Sequence, residues 1–212
     1  MSARYPVMLD VSRLGLLVVG GGEVALRKVR GLVEAGGAPV IVSPEVHPAL
    51  RELISAHGLP WTRRRYEGGD ACGHHLVFAA TDSAEVNARV ALEAAADRAL
   101  VDVADDPAAS TAHVPATLRQ DDVVVAVSTG GASPLLARRL KETLEPVVTP
   151  GLARAARRLG EARAEVHARW PDDAERRRAA WFALVTPEFM DAAIAGRDDE
   201  VEQRIRTCLS QS

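Results

Sequence analysis

Three consecutive glycines lie in Val18-Val-Gly20-Gly21-Gly22-Glu23-Val24-Ala25, a G-x-G-x-x-A turn between a buried-strand pattern and an amphipathic helix pattern. In that setting Gly20 permits a sharp turn, Gly22 lets backbone approach a pyrophosphate, and Ala25 lets the helix pack closely on the strand. The helix N-terminus supplies the anion site, with Gly21, Glu23 and Val24 completing the lining. Residues 14–19 form the apolar run before this turn, and 24–35 carry apolar residues at Val24, Val29, Leu32 and Val33 after it. This context separates a dinucleotide fingerprint from a merely tight turn. At the end of the next strand, where an acid usually takes the ribose hydroxyls, stand Ser43 and Pro44. Ser43 can still bond a hydroxyl, and no arginine lies close by to hold a 2′-phosphate, which favours NAD over NADP.

Further polar groups fall just beyond other strand patterns. Thr81 and Asp82 follow the apolar run 76–80 and read equally as cofactor contacts or as caps of the next helix. Asp102, Asp105 and Asp106 cluster at the end of the run 100–103, where one carboxylate near a nicotinamide can serve as a general base. Taken alone, Asp105-Asp106-Pro107 reads as a plain turn. Cys72-Gly73-His74-His75 has metal-ligand residue types but no partner ligands in view, so it is read as a loop and no metal site is expected.

The elements that must position these groups alternate between strand and helix. Strands are expected at 14–19, 39–42, 59–64, 76–80 and 100–103, with helices at 24–35, 48–57 and 83–97. That is an α/β fold with a Rossmann-like parallel sheet. Beyond residue 104 the texture changes: 113–118 and 123–127 are extended around a turn at 119–122, and Ser133-Pro134 starts a helix. The remainder is helical by pattern. The expected domains are an NAD-binding Rossmann domain at 1–112, a dimerisation and substrate-site segment at 113–150, and a C-terminal helical module at 151–212.

Composition narrows the class. With 47% hydrophobic and 26% charged residues in 212, the chain can build a substantial core and is not a disordered tail. A formal charge of -3, from 26 basic and 29 acidic residues, gives no field for nucleic acid. No apolar run suits a bilayer or a secretory signal, so no membrane association is expected and the setting is read as cytoplasmic. Two cysteines, Cys72 and Cys208, cannot frame a disulfide scaffold or a thiolate zinc site. Any redox chemistry must come from a cofactor.

Several motifs occur in a fixed order: Tyr5-Pro-Val-Met-Leu-Asp10, the 18–28 segment ending in Arg27-Lys28, Ala79-Ala-Thr-Asp82 with Asn87, Val103-Ala-Asp-Asp-Pro107, Pro115, and Val127-Ser-Thr-Gly-Gly-Ala-Ser-Pro-Leu-Leu-Ala-Arg138. Over about residues 5–145 the chain resembles the precorrin-2 dehydrogenase/sirohydrochlorin ferrochelatase family, the N-terminal half of siroheme synthases. The resemblance implies NAD-dependent oxidation of precorrin-2 to sirohydrochlorin and, in some members, Fe(II) insertion to give siroheme. It implies Asp105 as the catalytic residue, with Asp102 where asparagine is usual and an extra charge beside Asp105. Ser128, Thr129 and Gly130 match the loop near the tetrapyrrole, and Arg138 and Arg139 are candidates for pairing with substrate carboxylates. His113 replaces part of a usual aromatic and aliphatic pair and becomes a candidate metal or proton-transfer group. A homodimer is expected, with 123–127 as a pairing edge. The chain has no room for the methyltransferase half, so it is not expected to make precorrin-2 itself. A different class, a non-catalytic NAD-sensing module, leaves the Ser128–Pro134 loop without a purpose.

Overall fold

The computed structural model describes residues 4–210; the first three residues of the N-terminal stretch judged for a secretory signal lie outside the described residues. Two compact units are present, one ending at Val114 and the other beginning at Pro115.

In the first unit, β1 (Leu16–Val19), β2 (Val40–Val42), β3 (Trp61–Thr62), β4 (Leu76–Ala79) and β5 (Leu100–Val103) form one sheet. All pairings are parallel, in the order β3-β2-β1-β4-β5. The order reverses between β1 and β4, which sets the ligand crevice of such sheets at the carboxyl end of β1. Alternation along β1 splits the core in two. Leu16 and Val18 pack with Val29 and Leu32 of α1 (Glu23–Glu34) and with Leu50 and Ile54 of α2 (Pro48–His57). Leu17 and Val19 face the other way, with Val90 and Ala94 of α3 (Ala84–Ala96). A fully buried side chain such as Leu17 contributes about 1.5–3 kcal/mol. The Rossmann-like expectation is therefore borne out.

The third strand is shorter than the expected 59–64. Pro60 cannot donate to a ladder, and beyond Thr62 the Arg64 guanidinium turns to Asp70 at 2.7 and 2.8 Å, drawing the chain off the sheet edge.

The second unit opens with an antiparallel hairpin of β6 (Ala116–Gln120) and β7 (Val123–Val127). The expected strand at 113–118 and turn at 119–122 shift accordingly. Pro115 has no N–H for the ladder, whereas Arg119 and Gln120 pair with Val124 and Val123. The turn contracts to Asp121-Asp122, with Asp121 left-handed at φ 51°. Then follow α4 (Pro134–Leu144), α5 (Pro150–Arg169), α6 (Ala174–Leu184), α7 (Pro187–Ile194) and α8 (Asp198–Ser210). Pro134, Pro150 and Pro187 each occupy the first helical position, behind Ser133, Thr149 and Thr186 as N-caps, so these prolines start helices. Phe189, Ile205, Val201 and Ala162 form the helical core. No helix among the described residues is long and apolar enough to cross a membrane.

Candidate functional site

The carboxyl edge of the parallel sheet gathers the first group of expected site residues. Gly20 follows β1 with φ 123°, and a Cβ there would sit 2.1 Å from the Ala80 carbonyl oxygen. A Cβ on Gly21 would meet the Glu45 carbonyl oxygen at 2.0 Å, and the Gly21 carbonyl accepts from His47 N at 2.7 Å. These two glycines are required by the chain's own packing: the turn is wedged between the loops that follow β2 and β4.

Gly22 differs. A Cβ there would meet nothing within 4 Å, and Gly22 caps α1 without any side-chain hydrogen bond. The first N–H groups of α1, at Glu23 and Val24, therefore lack a side-chain cap beside open space. Ala25 behind them is fully buried against the sheet. An uncapped helix N-terminus fronted by an open glycine fits a dinucleotide pyrophosphate, which would take its hydrogen bonds from those amides.

Ser43 is buried, and its hydroxyl donates to the Glu45 carbonyl at 2.6 Å; it braces the loop against Gly21, with Pro44 exposed beside it. Thr81 is locked by Asn87: Asn87 Oδ1 accepts from Thr81 N at 3.1 Å and from Thr81 Oγ1 at 2.7 Å, while Asn87 Nδ2 donates to the Thr81 carbonyl at 3.0 Å. Ser83, one residue past Asp82, is the N-cap of α3. Asn87 is only 6% exposed, and this amide fixes the peptide that leaves β4 toward the site. Sequence reasoning quoted Asn87 as a motif letter without a task; a buried amide one helical turn after a cap is the signal it left unused.

At the end of β5, Asp105 is exposed and has φ 61°, a left-handed conformation that costs a non-glycine residue roughly 1–2 kcal/mol. Asp106 forms the turn itself, with Oδ1 accepting from Ala108 N at 3.0 Å and Ala109 N at 3.1 Å. Its neighbour Asp105 makes no hydrogen bond or ion pair among the described residues, so the left-handed backbone presents a carboxylate with no structural duty. Such strain is stored at functional positions more often than elsewhere. Asp102 is buried and paired with Lys28. His113, half-buried, makes no hydrogen bond or ion pair with the described residues.

The Cys72–His75 loop lies at the opposite edge, entering β4. His75 Nδ1 accepts from Gly15 N at 2.9 Å, tying this loop to the chain before β1. No cluster of three or more potential metal ligands occurs among the described residues.

In the second unit, the Ser128–Ser133 loop is held by its own hydroxyls. Thr129 Oγ1 accepts from Ser133 N at 3.1 Å, and Ser128 Oγ accepts from Gly130 N at 3.2 Å. Gly130 and Gly131 are left-handed, with φ 67° and 90°. Arg138 and Arg139 share Glu142, at 3.0 and 2.8 Å, and their hydrogen bonds hold its carboxyl below the usual carboxylate range. Two guanidiniums against one carboxylate leave one positive charge unneutralised on an exposed helix face.

Residues 7–116 match the family model described as "Putative NAD(P)-binding", and residues 125–145 match "Sirohaem biosynthesis protein central". The siroheme synthase of Chromobacterium violaceum is 39% identical over 205 residues, covering 95% of this chain and 43% of the relative. That of Pseudomonas fluorescens is 37% identical over 198 residues, covering 93% and 42%. The chain thus spans less than half the length of these relatives. A solved structure described as "SirC, precorrin-2 dehydrogenase" superposes with a TM-score of 0.77 at 27% identity, covering 96% of this chain and all of that one.

Proposed function

This chain belongs to the NAD(P)-binding family of the precorrin-2 dehydrogenases and siroheme synthases, and we propose that it oxidises precorrin-2 to sirohydrochlorin with NAD. The reading rests on one observation: the open amides of Glu23 and Val24 and the unpartnered Asp105 carboxylate occupy the same carboxyl edge of one sheet. NAD, when bound there, supplies the hydride acceptor.

The residues of the chain do the rest. Gly20, Gly21 and Gly22 shape the turn, the α1 amides hold the pyrophosphate, and the Ser43-Pro44 and Thr81-Asp82 loops flank the cofactor. Asp105 accepts the proton that the macrocycle loses as the hydride departs, and its left-handed backbone keeps the carboxylate clear of the turn that Asp106 builds. Ser128, Thr129, Gly130 and Arg138 receive carboxylates of the substrate, with the surplus positive charge of the Arg138–Arg139–Glu142 cluster providing attraction, and His113 is a further polar contact. The protein works chiefly by positioning.

A second activity at the same carboxylate, insertion of Fe(II) into sirohydrochlorin as a ferrochelatase, is favoured by Asp105 having no ion pair among the described residues to compete with an incoming cation. The protein is read as a cytoplasmic homodimer, its exposed Leu135, Leu136 and Leu140 on α4 joining the β7 edge in the interface. Mixing the protein anaerobically with precorrin-2 and NAD tests the main reading. NADH and sirohydrochlorin should appear in equal amounts, and their absence would refute it; adding Fe(II) afterwards tests the second activity.

A further inference from the structure

We propose that Ser110 is a positioning residue for Asp105: its hydroxyl ties together the backbone on both sides of Asp105 and so aims the carboxylate. This role presupposes Asp105 as the proton acceptor.

β5 ends the strand order, with no strand beyond it among the described residues. Leu100 N and Ala104 N donate back toward β4, to the His75 and Ala79 carbonyls, so the alternate N–H groups of Val101 and Val103 point outward. Both residues are buried, and an unpaired amide there would cost about as much as a lost hydrogen bond. Two hydroxyls of the returning chain take the place of a strand. Thr111 Oγ1 accepts from Val101 N at 2.9 Å, and Ser110 Oγ accepts from Val103 N at 2.9 Å. Thr111 N and Ala112 N in turn donate to the Val101 carbonyl, each at 2.9 Å.

Beyond this shared task the two hydroxyls differ. Thr111 Oγ1 bonds the strand at a point well before Asp105. Ser110 Oγ also donates to the Asp106 carbonyl at 2.8 Å, a nearer acceptor than the Val103 carbonyl at 3.4 Å. One oxygen thus spans from Val103, ahead of Asp105, to Asp106, just after it. The turn's own backbone bond, from Asp106 N to the Val103 carbonyl, is stretched to 3.3 Å and is the weaker closure. Asp105 sits inside this bracket at φ 61°, a conformation that persists in a non-glycine residue only when the surroundings over-determine it. Asp106 Oδ1 fixes the downstream half of the loop through Ala108 N and Ala109 N, and Ser110 joins that half to β5. Misplacing a reacting group by about 1 Å can cost as much as about a hundredfold in rate, so a bond that fixes the Asp105 peptide bears on the chemical step and not on cofactor binding.

Single-turnover oxidation of precorrin-2 by the whole protein with NAD, together with calorimetric titration of NAD, tests this. Ser110→Ala should slow oxidation about ten- to a hundredfold while NAD affinity changes less than about twofold. Ser110→Thr keeps the hydroxyl and should stay within about threefold of the unmodified rate, and Thr111→Ala, at the same edge but away from Asp105, within about twofold. In an Asp105→Asn background Ser110→Ala should add less than about twofold, because the hydroxyl acts through the carboxylate. The role is overturned if Ser110→Ala reacts at the unmodified rate, if Thr111→Ala is equally slowed, or if the full loss recurs on Asp105→Asn. Ser110→Thr carries the test should Ser110→Ala not fold: a loss of about tenfold there also overturns the role. If Asp105→Asn itself reacts at the unmodified rate, the proton-acceptor reading falls and this role with it; if Asp105→Asn is slow and Ser110→Ala is not, this role alone falls.

Discussion

Lys28 Nζ lies 2.7 Å from Asp102 Oδ1, and both side chains are nearly buried. The pair ties α1, whose N-terminus carries the glycine turn, to β5, whose end carries Asp105. Asp102 Oδ2 also accepts from Val114 N at 3.3 Å, and the ammonium sits 5.2 Å above the Phe78 ring. The extra carboxylate that sequence reading placed beside Asp105 is therefore neutralised internally. Lys28→Met leaves that carboxylate buried and uncompensated and should cost about 3 kcal/mol in urea unfolding. Asp102→Asn leaves the Lys28 ammonium without its counter-charge and has one oxygen where the carboxylate accepts from both Lys28 and Val114 N, so it should also destabilise, by about 3 kcal/mol.

The three glycines should separate folding from binding. Gly20→Ala and Gly21→Ala drive a methyl group into backbone oxygens and should lower the melting temperature sharply. Gly22→Ala meets no protein atom, so stability should change by less than about 1 kcal/mol, while NAD affinity falls about tenfold because the methyl occupies the phosphate's approach. Differential scanning calorimetry paired with cofactor titration distinguishes the two effects.

Strain at Asp105 predicts a trade of activity for stability. Asp105→Gly relieves the left-handed backbone and should stabilise the fold by about 1 kcal/mol in urea unfolding, yet precorrin-2 turnover should be lost. Equal or lower stability would mean that the turn is not strained.

Acid sensitivity should centre on the loop after β3. The hydrogen bond from Arg64 holds the Asp70 carboxyl below its usual range, and that from the Tyr66 hydroxyl, at 2.5 Å, does the same for Glu93. Burial and the same bond push the Tyr66 hydroxyl upward. Folded values below the unfolded ones give stability that is present above the unfolded carboxylate value of about 4 and is lost as pH falls through the folded values. Asp70→Asn should lower the urea midpoint at neutral pH, and the difference from the unmodified protein should shrink as pH falls through the lowered folded value of Asp70.

The parallel sheet was legible because β1, β2, β4 and β5 are short apolar runs closed by glycine, proline or a cap, and both faces of such strands are buried. Leu59–Arg64 was over-extended because nothing local reveals that Arg64 binds Asp70. The hairpin register was displaced because the ladder requirement at Pro115 outweighs the apolar pattern of Val114, which is exposed. Within the site, Gly20, Gly22 and Ala25 were readable from a motif whose spacing is set by local geometry. The inward turn of Ser43 and the Asn87 lock on Thr81 are contacts across two and six residues, but their direction is set by loops whose course follows from the strands on either side, so the residues were named without their bonds.

The pairing of an open dinucleotide turn with one free carboxylate is tested most directly by comparing Asp105→Asn with the unmodified protein. Asparagine tolerates the left-handed backbone, so fold and NAD affinity should be retained while the single-turnover rate of precorrin-2 oxidation falls about 10²–10⁴-fold. An Asp105→Asn protein that still oxidised precorrin-2 at the unmodified rate would contradict the account.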